Sequence, residues 1–304
     1  MKLLYLSEGA VCAAICACFA GCTSDGDGPD VPVNGRTVTV LEYNPAPGQF
    51  VNEIPEYTEG DTYETILGKV QRHIDRGELV SLGAFGGSIT FAVNPPIKTR
   101  PDGKEFRVLG NAFVNGQTDG GWYGSSEPGV IQVMEDVNGN GRPDDGEWCT
   151  ITPDCAVSGV LTVTYTRHAE GDDNNHYIAW SASDGTSGWL NRVEAYHRGE
   201  LFPGWLPASV HTVTVSGLCL ADNAVYDEPT KTWRLFAVPN TADSFANNDD
   251  RSLVSISSAR RSDGSAAALE SVSFIRVHTG VLKCNGILGE ESTEVAGIEV
   301  RDAG

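Results

Sequence analysis

The feature that most constrains this chain is a rhythm of short β-branched and aromatic runs, each cut off within a few residues by Gly, Asn, Asp or Pro. LVSLGAFGGSITFAV, EFRVLGNAFV, GVIQVM, GVLTVTYT, HYIAWSA, HTVTVSGL, TWRLFAV, LVSIS and SVSFIRVHTGVL follow one another in this way. Such residues suit a pleated, half-buried surface, and the clusters between them supply turns. Short strands at this density predict a mainly β fold, an antiparallel β-sandwich of jelly-roll type. No repeat of fixed period argues for a propeller or solenoid.

One helix is expected. In DTYETILGKVQRHIDRG, Tyr63, Ile66, Leu67, Val70 and Ile74 fall on one face at helical spacing. Asp61 and Glu64 are the expected capping box and Gly77 the stop, with the helix packed over the end of a sheet.

The N-terminal residues belong to a different argument. Lys2 leads into AVCAAICACFAGC, which is shorter than the ~20 apolar residues needed to span a bilayer. The small residues before Cys22 resemble a bacterial lipobox, so residues 1–21 are expected to be a signal peptide and Cys22 to carry lipid. Residues 22–35 are rich in Asp, Gly and Pro, too polar to pack, and read as a flexible tether. Residues 36–304 are then expected to form one β-sandwich domain, held on the outer membrane and exposed at the cell surface.

Charge narrows the partners. With 41 acidic against 21 basic residues the net charge is −20, which disfavours nucleic acid and anionic lipid headgroups. Membrane contact is expected through the lipid anchor only. Cys149, Cys155, Cys219 and Cys284 follow the tether, and an even count outside the cytoplasm favours disulfides. Three connectivities exist; the local pair Cys149–Cys155 is preferred, leaving Cys219 with Cys284.

The densest chemical signal is VMEDVNGNGRPDDGEW. Asp136, Asn138, Asn140 and Gly141, then five residues and Glu147, have the spacing of an EF-hand calcium loop, but the residues before it read as a strand. Calcium takes six to eight oxygen ligands at about 2.3–2.6 Å. Side chains of Asp136, Asn138, Asn140 and Asp144, the Arg142 carbonyl, and Asp145 or Glu147 would supply them. The loop has no thiol or imidazole for zinc or copper. Without paired helices to open, such an ion has a structural role.

Several segments, in order, resemble a family of Bacteroidota cell-surface lipoproteins of the PKD-like type. They are LEYNPAPGQFVNE, VSLGAFGGSITFAV, VLGNAFVN, SSEPGVIQVMEDVNGNGRPDDGEW, SFIRVHTGVL and LGEESTEVAG. The resemblance implies a surface-exposed binding protein, and some members accompany outer-membrane uptake systems, including those for corrinoids; a TonB-dependent outer-membrane transporter is then an expected partner. The family continues past the loop into tryptophan-tyrosine-glutamate-leucine. Here Asp145-Gly146-Glu147-Trp148-Cys149 follows, which puts Glu147 beside an inserted glycine.

No catalytic constellation is expected. There is no GxSxG, HExxH or phosphate loop, the histidines are scattered, and Glu127 with Glu135 is the nearest approach to a glycosidase-like carboxylate pair. Binding is the better expectation. Trp122-Tyr123 in GGWYGSS, Trp189 and Trp205 fall near turn signals, where exposed rings stack on a glycan or a corrinoid. The alternative is a structural or adhesive module whose calcium only stiffens it.

Overall fold

The computed structural model describes residues 35–168, 177–193, 199–283 and 289–301. The predicted signal peptide, Cys22, all but the last residue of the tether and Cys284 lie outside the described residues. Among the described residues the fold is mainly β and antiparallel, a sandwich with one α-helix and no closed barrel.

The largest sheet has six strands: β1 (Thr37–Asn44), β3 (Ser88–Lys98), β16 (Ser271–Thr279), β7 (Gly129–Met134), β8 (Cys149–Ile151) and β15 (Ala259–Arg260), side by side in that order. Its register separates two chemistries. Val40, Phe91, Ile275, Val133 and Cys149 stand opposite one another across five strands and are all buried. The neighbouring row is Glu42, Thr90, Arg276, Gln132 and Thr150. Alternation along each strand therefore sends one face to the core and the other to polar side chains. On the polar face the Arg276 guanidinium lies 4.2 Å from the Trp148 ring centre.

The helix α1 (Tyr63–Arg76) buries Ile66, Val70 and Ile74 against the apolar face. It also covers the free edge of β1. The Gln71 side-chain oxygen accepts the Val40 N–H and its amide donates to the Val38 carbonyl, while the Tyr63 hydroxyl accepts the Tyr43 N–H. An edge that would otherwise template strand addition is thus occupied by side chains. The cap differs from expectation by one residue. Thr62 is the N-cap and its box partner is Thr65, because Asp61 is turned to Lys69 at 2.5 Å. Gly77 ends the helix at φ 67° as expected.

Two further sheets flank this core. One is β11 (Ser187–Asn191), β10 (Tyr177–Ala182), β9 (Val157–Thr166) and β12 (Thr212–Leu220); the other is β13 (Ala224–Asp227), β14 (Thr232–Phe236), β6 (Gly121–Ser125) and β5 (Phe113–Thr118). The first closes over Ala46, Ala84, Phe85, Leu201 and Phe202 with Leu161, Val163, Tyr165, Ile178 and Leu190. Gly217 of β12 lies against His278 of β16; a Cβ there would come within 2.6 Å of the imidazole. LVSIS, expected as a strand, instead follows the short 3-10 turn Asp250–Ser252 and runs into a second, Ile256–Ser258.

The C-terminal segment runs through the middle. β17 (Glu294–Val295) pairs with β2 (Val80–Ser81), and β18 (Gly297–Val300) pairs with β4 (Phe106–Leu109). From Glu290 to Val300 every residue except Glu299 is buried.

The expected Cys149–Cys155 disulfide is not formed, and Cys149, Cys155 and Cys219 are free thiols. The reason is packing. Cys149 belongs to the buried row of the main sheet, Cys155 lies against Val130, Leu220 and Val281, and Cys219 faces the flanking sheet's core.

Ile66 is fully buried, whereas the Thr62 cap is exposed. Urea unfolding should therefore show Ile66→Ala losing ~2–5 kcal/mol and Thr62→Ala only ~1 kcal/mol. Equal losses would mean the helix is held by its cap and not by its packing.

Candidate functional site

The loop after β7 folds onto its own oxygens. Asp136 accepts the N–H of Asn140 (3.1 Å) and of Gly141 (2.9 Å). The Asn138 N–H and side-chain amide donate to Asp145, and that amide reaches Asp144 as well. The Asn140 amide also donates to Asp144, and its side-chain oxygen accepts the Arg142 N–H. Gly139 and Gly141 take φ 70° and 71°, which the reversal requires. Asp136, Asn138, Asn140, Asp144 and Asp145 are thus brought together. Rotating either amide by half a turn presents oxygen in place of N–H, although Asp136, Asp144 and Asp145 do not all bring carboxylate oxygens within 4.8 Å of one another.

Two predicted ligands stand apart. Glu147 accepts the Ser262 N–H at 2.9 Å and pairs with Arg261 at 3.6 Å, contacts that hold its carboxyl below the ordinary glutamate range. It points out of the loop. The Arg142 carbonyl accepts the Asp144 N–H within the turn.

A second acidic centre carries no motif in the sequence. Glu127, Asp243 and Glu294 each bring a carboxylate oxygen to within 4.8 Å of the others, the one such grouping of three or more Asp, Glu, His or Cys among the described residues. Asp243 and Glu294 are buried, and Glu127 keeps partial exposure. Three elements meet here: the turn before β7, the loop after β14, and β17. Asp243 Oδ1 accepts the N–H of Asn111 (3.1 Å) and Ala112 (2.9 Å), and Oδ2 accepts the Glu294 N–H at 3.3 Å. Glu127 accepts the Ser292 N–H at 3.2 Å. Glu290 lies buried in the same segment, where its carboxylate accepts the Gln49 N–H.

Burial dominates the electrostatics. It pushes Glu127 up to about 8, with the Asp243 charge adding to it, and Asp243 up to about 7 against the pull of its three backbone donors. Glu290 is raised to about 7, and Glu294 lies well above the glutamate range, through burial and then the charges of Glu127 and Asp243. Burial lowers His278 to about 4.

Glu127 and Glu135 are not a catalytic pair. They stand beyond opposite ends of β7, roughly 20 Å of strand, whereas glycosidase carboxylates lie about 5–10 Å apart. Glu135 instead accepts the N–H of Glu270 and Ser271.

The predicted ligand aromatics are dispersed. Trp122 and Tyr123 are at the start of strand β6, beside the β5–β6 turn, and Trp122 is exposed: the Arg251 guanidinium covers Trp122 at 4.2 Å, and Tyr123 packs on Phe236 and under Arg234. Trp205 leans on buried Tyr43, ring centres 6.0 Å apart. It lines a cleft of about 390 Å³ with Tyr43, Tyr63, Ser88, Thr214 and Ser216. Trp189 is 57% exposed on β11.

Trp189 stands on an unusual surface. Register places Thr212, Thr166, Ala179 and Trp189 in one row and Thr214, Thr164, Ser181 and Ser187 in the next. Ser216 and Thr162 begin a third, and Val160 of the same strand face is 71% exposed. Hydroxyl pairs Thr162–Ser216 and Thr164–Thr214 bond across strands at 2.8 and 3.0 Å. None of these residues is charged, in a chain with 62 charged side chains.

A comparison with protein-family models finds no match, and a comparison with curated proteins finds none. No helix among the described residues is long and apolar enough to cross a membrane.

The raised carboxyls fix a direction for stability. Each binds its proton more tightly folded than unfolded, so stability is full below about pH 4 and declines as pH rises toward about 8. His278 opposes this with a single group: kept neutral by burial, it favours the folded state above about pH 6.5 and withdraws that support as pH falls toward about 4. Unfolding followed in chelator should therefore show net loss of stability between about pH 6.5 and 8, a loss reduced in Glu290→Gln. A rise over that range would contradict the assignment.

Proposed function

We propose that this chain is a non-catalytic, lipid-anchored surface protein that binds a neutral glycan on its uncharged sheet face and is stiffened by calcium in the 136–145 loop. The observation that carries the reading is the face itself. An exposed sheet normally carries Lys, Glu, Asp and Arg, and a chain of net charge −20 has acids to spare. Here four strands, roughly 15 Å across, present hydroxyls, small side chains and one exposed tryptophan. Sugar rings offer hydroxyls to the Ser and Thr rows and apolar C–H faces to Trp189.

Thr214 and Ser216 belong both to these rows and to the Trp205 cleft, so the surface continues from Trp189 at one sheet edge to Trp205 at the other. The cleft is at the small end of the ~300–1,000 Å³ of ligand pockets. That suits a sugar unit better than a corrinoid, and the lack of charge suits a neutral glycan better than an acidic one. Anchoring through Cys22 would hold this face outside the outer membrane, where a TonB-dependent transporter is the partner expected of a capture protein. Calcium is supported by five oxygen-bearing side chains that one short loop ties together by hydrogen bonds, with Glu147 outside the ligand set.

Affinity electrophoresis of the full chain through neutral polysaccharides tests the binding reading. Trp189→Ala and Thr164→Lys should each weaken retardation about tenfold, ~1.4 kcal/mol, while Trp122→Ala leaves it unchanged. Retardation insensitive to Trp189, or absent throughout, would favour the structural or adhesive module. A calcium-dependent rise in unfolding temperature should vanish in the Asp136→Asn, Asp144→Asn double variant; a rise that survives removes the loop as the site.

A further inference from the structure

We infer that Glu127, Asp243 and Glu294 form a second cation centre, separate from the 136–145 loop and sized for calcium. Two oxygens bound to one calcium ion at about 2.3–2.6 Å can lie at most about 4.6–5.2 Å apart, and all three ligand atoms fall within 4.8 Å of one another. Magnesium sheds its waters reluctantly and keeps several of them, so a buried, all-carboxylate centre suits calcium better. The donors are all carboxylates, which selects hard cations over zinc or copper.

A second observation points to a ligand. Glu294 Oε1 is buried and accepts no hydrogen bond, on a residue 3% exposed, although the Ser292 and Glu127 side chains lie against the same carboxyl group. A buried carboxylate oxygen left bare costs free energy unless a proton or cation takes its lone pair. Basic side chains do not take it: none is among the groups acting on these three carboxyls. Asp243 is already oriented as ligating carboxylates are, by the N–H groups of Asn111, Ala112 and Glu294.

The ion would do mechanical work. Its three ligands come from three parts of the chain more than 50 residues apart, so one ion ties the turn before β7, the loop after β14 and the C-terminal strand β17 to a single point. Mass action then couples that junction to extracellular calcium.

The competing state is a proton shared between Glu127 and Glu294, and wild-type protein separates the two. Crystals of the full chain grown with terbium as a calcium substitute should show anomalous density within bonding distance of Glu294 and Asp243 at neutral pH. Density confined to the 136–145 loop, or none, overturns the inference in favour of the shared proton. Equilibrium dialysis with radioactive calcium gives the stoichiometry: about two ions for the wild type and about one for the Asp136→Asn, Asp144→Asn variant. Glu294→Gln and Asp243→Asn should each also retain about one. A loop variant that binds none overturns the second centre. A wild type binding one ion that only Glu294→Gln loses supports the second centre and removes the loop.

Discussion

The structure depends on burying an acid-rich strand end at its centre. Gly-Glu-Glu-Ser-Thr-Glu-Val, residues 289–295, enters the interior and stays there through β18. Its backbone is shared among distant parts of the chain. The Thr293 carbonyl accepts the Leu82 N–H, the Thr293 hydroxyl donates to the Glu127 carbonyl, and the Glu294 N–H donates to Asp243. Gln49 brackets Glu290 from both its backbone and its side chain. With α1, the β2–β17 and β4–β18 pairs supply the layer that covers the apolar face of the six-stranded sheet. Remove the segment and that face loses much of its partner. Buried carboxylates are the consequence, and Glu127, Asp243 and Glu294, on which no basic side chain among the described residues acts, must be neutralised by protons or by a cation.

This arrangement leaves one sheet face without charge. Carboxylates are buried at the centre and spread over much of the surface, while the β9–β12 sheet turns Ser, Thr and Trp189 outward. The same alternation that buries Leu161, Val163 and Tyr165 exposes Thr162, Thr164 and Thr166, so packing and surface chemistry follow from one period-two pattern. The Trp205 cleft arises where this sheet's edge strand meets the helix and β1.

Local pattern made much of this legible. Strand alternation in GVLTVTYT and HTVTVSGL, the apolar stripe of α1 and the Asp-Asn loop could all be read directly, because each is specified by near neighbours. What escaped depends on distant partners. LGEESTEVAG has the composition of a solvated turn, and only the pairing of β17 with β2 and the donors around Asp243 make it core. GGWYGSS has the glycines of a loop tip, yet Gly116 and Gly124 serve to let strands β5 and β6 pack around Tyr123 and Phe113. The cysteines gave a count without a geometry, and three of them lie in three separate apolar clusters. Glu147 matched the calcium spacing but found Arg261 and Ser262 across 115 residues.

Native-state hydrogen exchange across residues 290–300 tests the central claim most directly. If the segment is the spine of the fold, the amides of Ser292, Glu294 and Ala296 open only with global unfolding, and are as protected as those of β3 and β16. Exchange at the rate of the exposed 136–147 loop would contradict the account, because it would place the acidic segment outside the cooperative core.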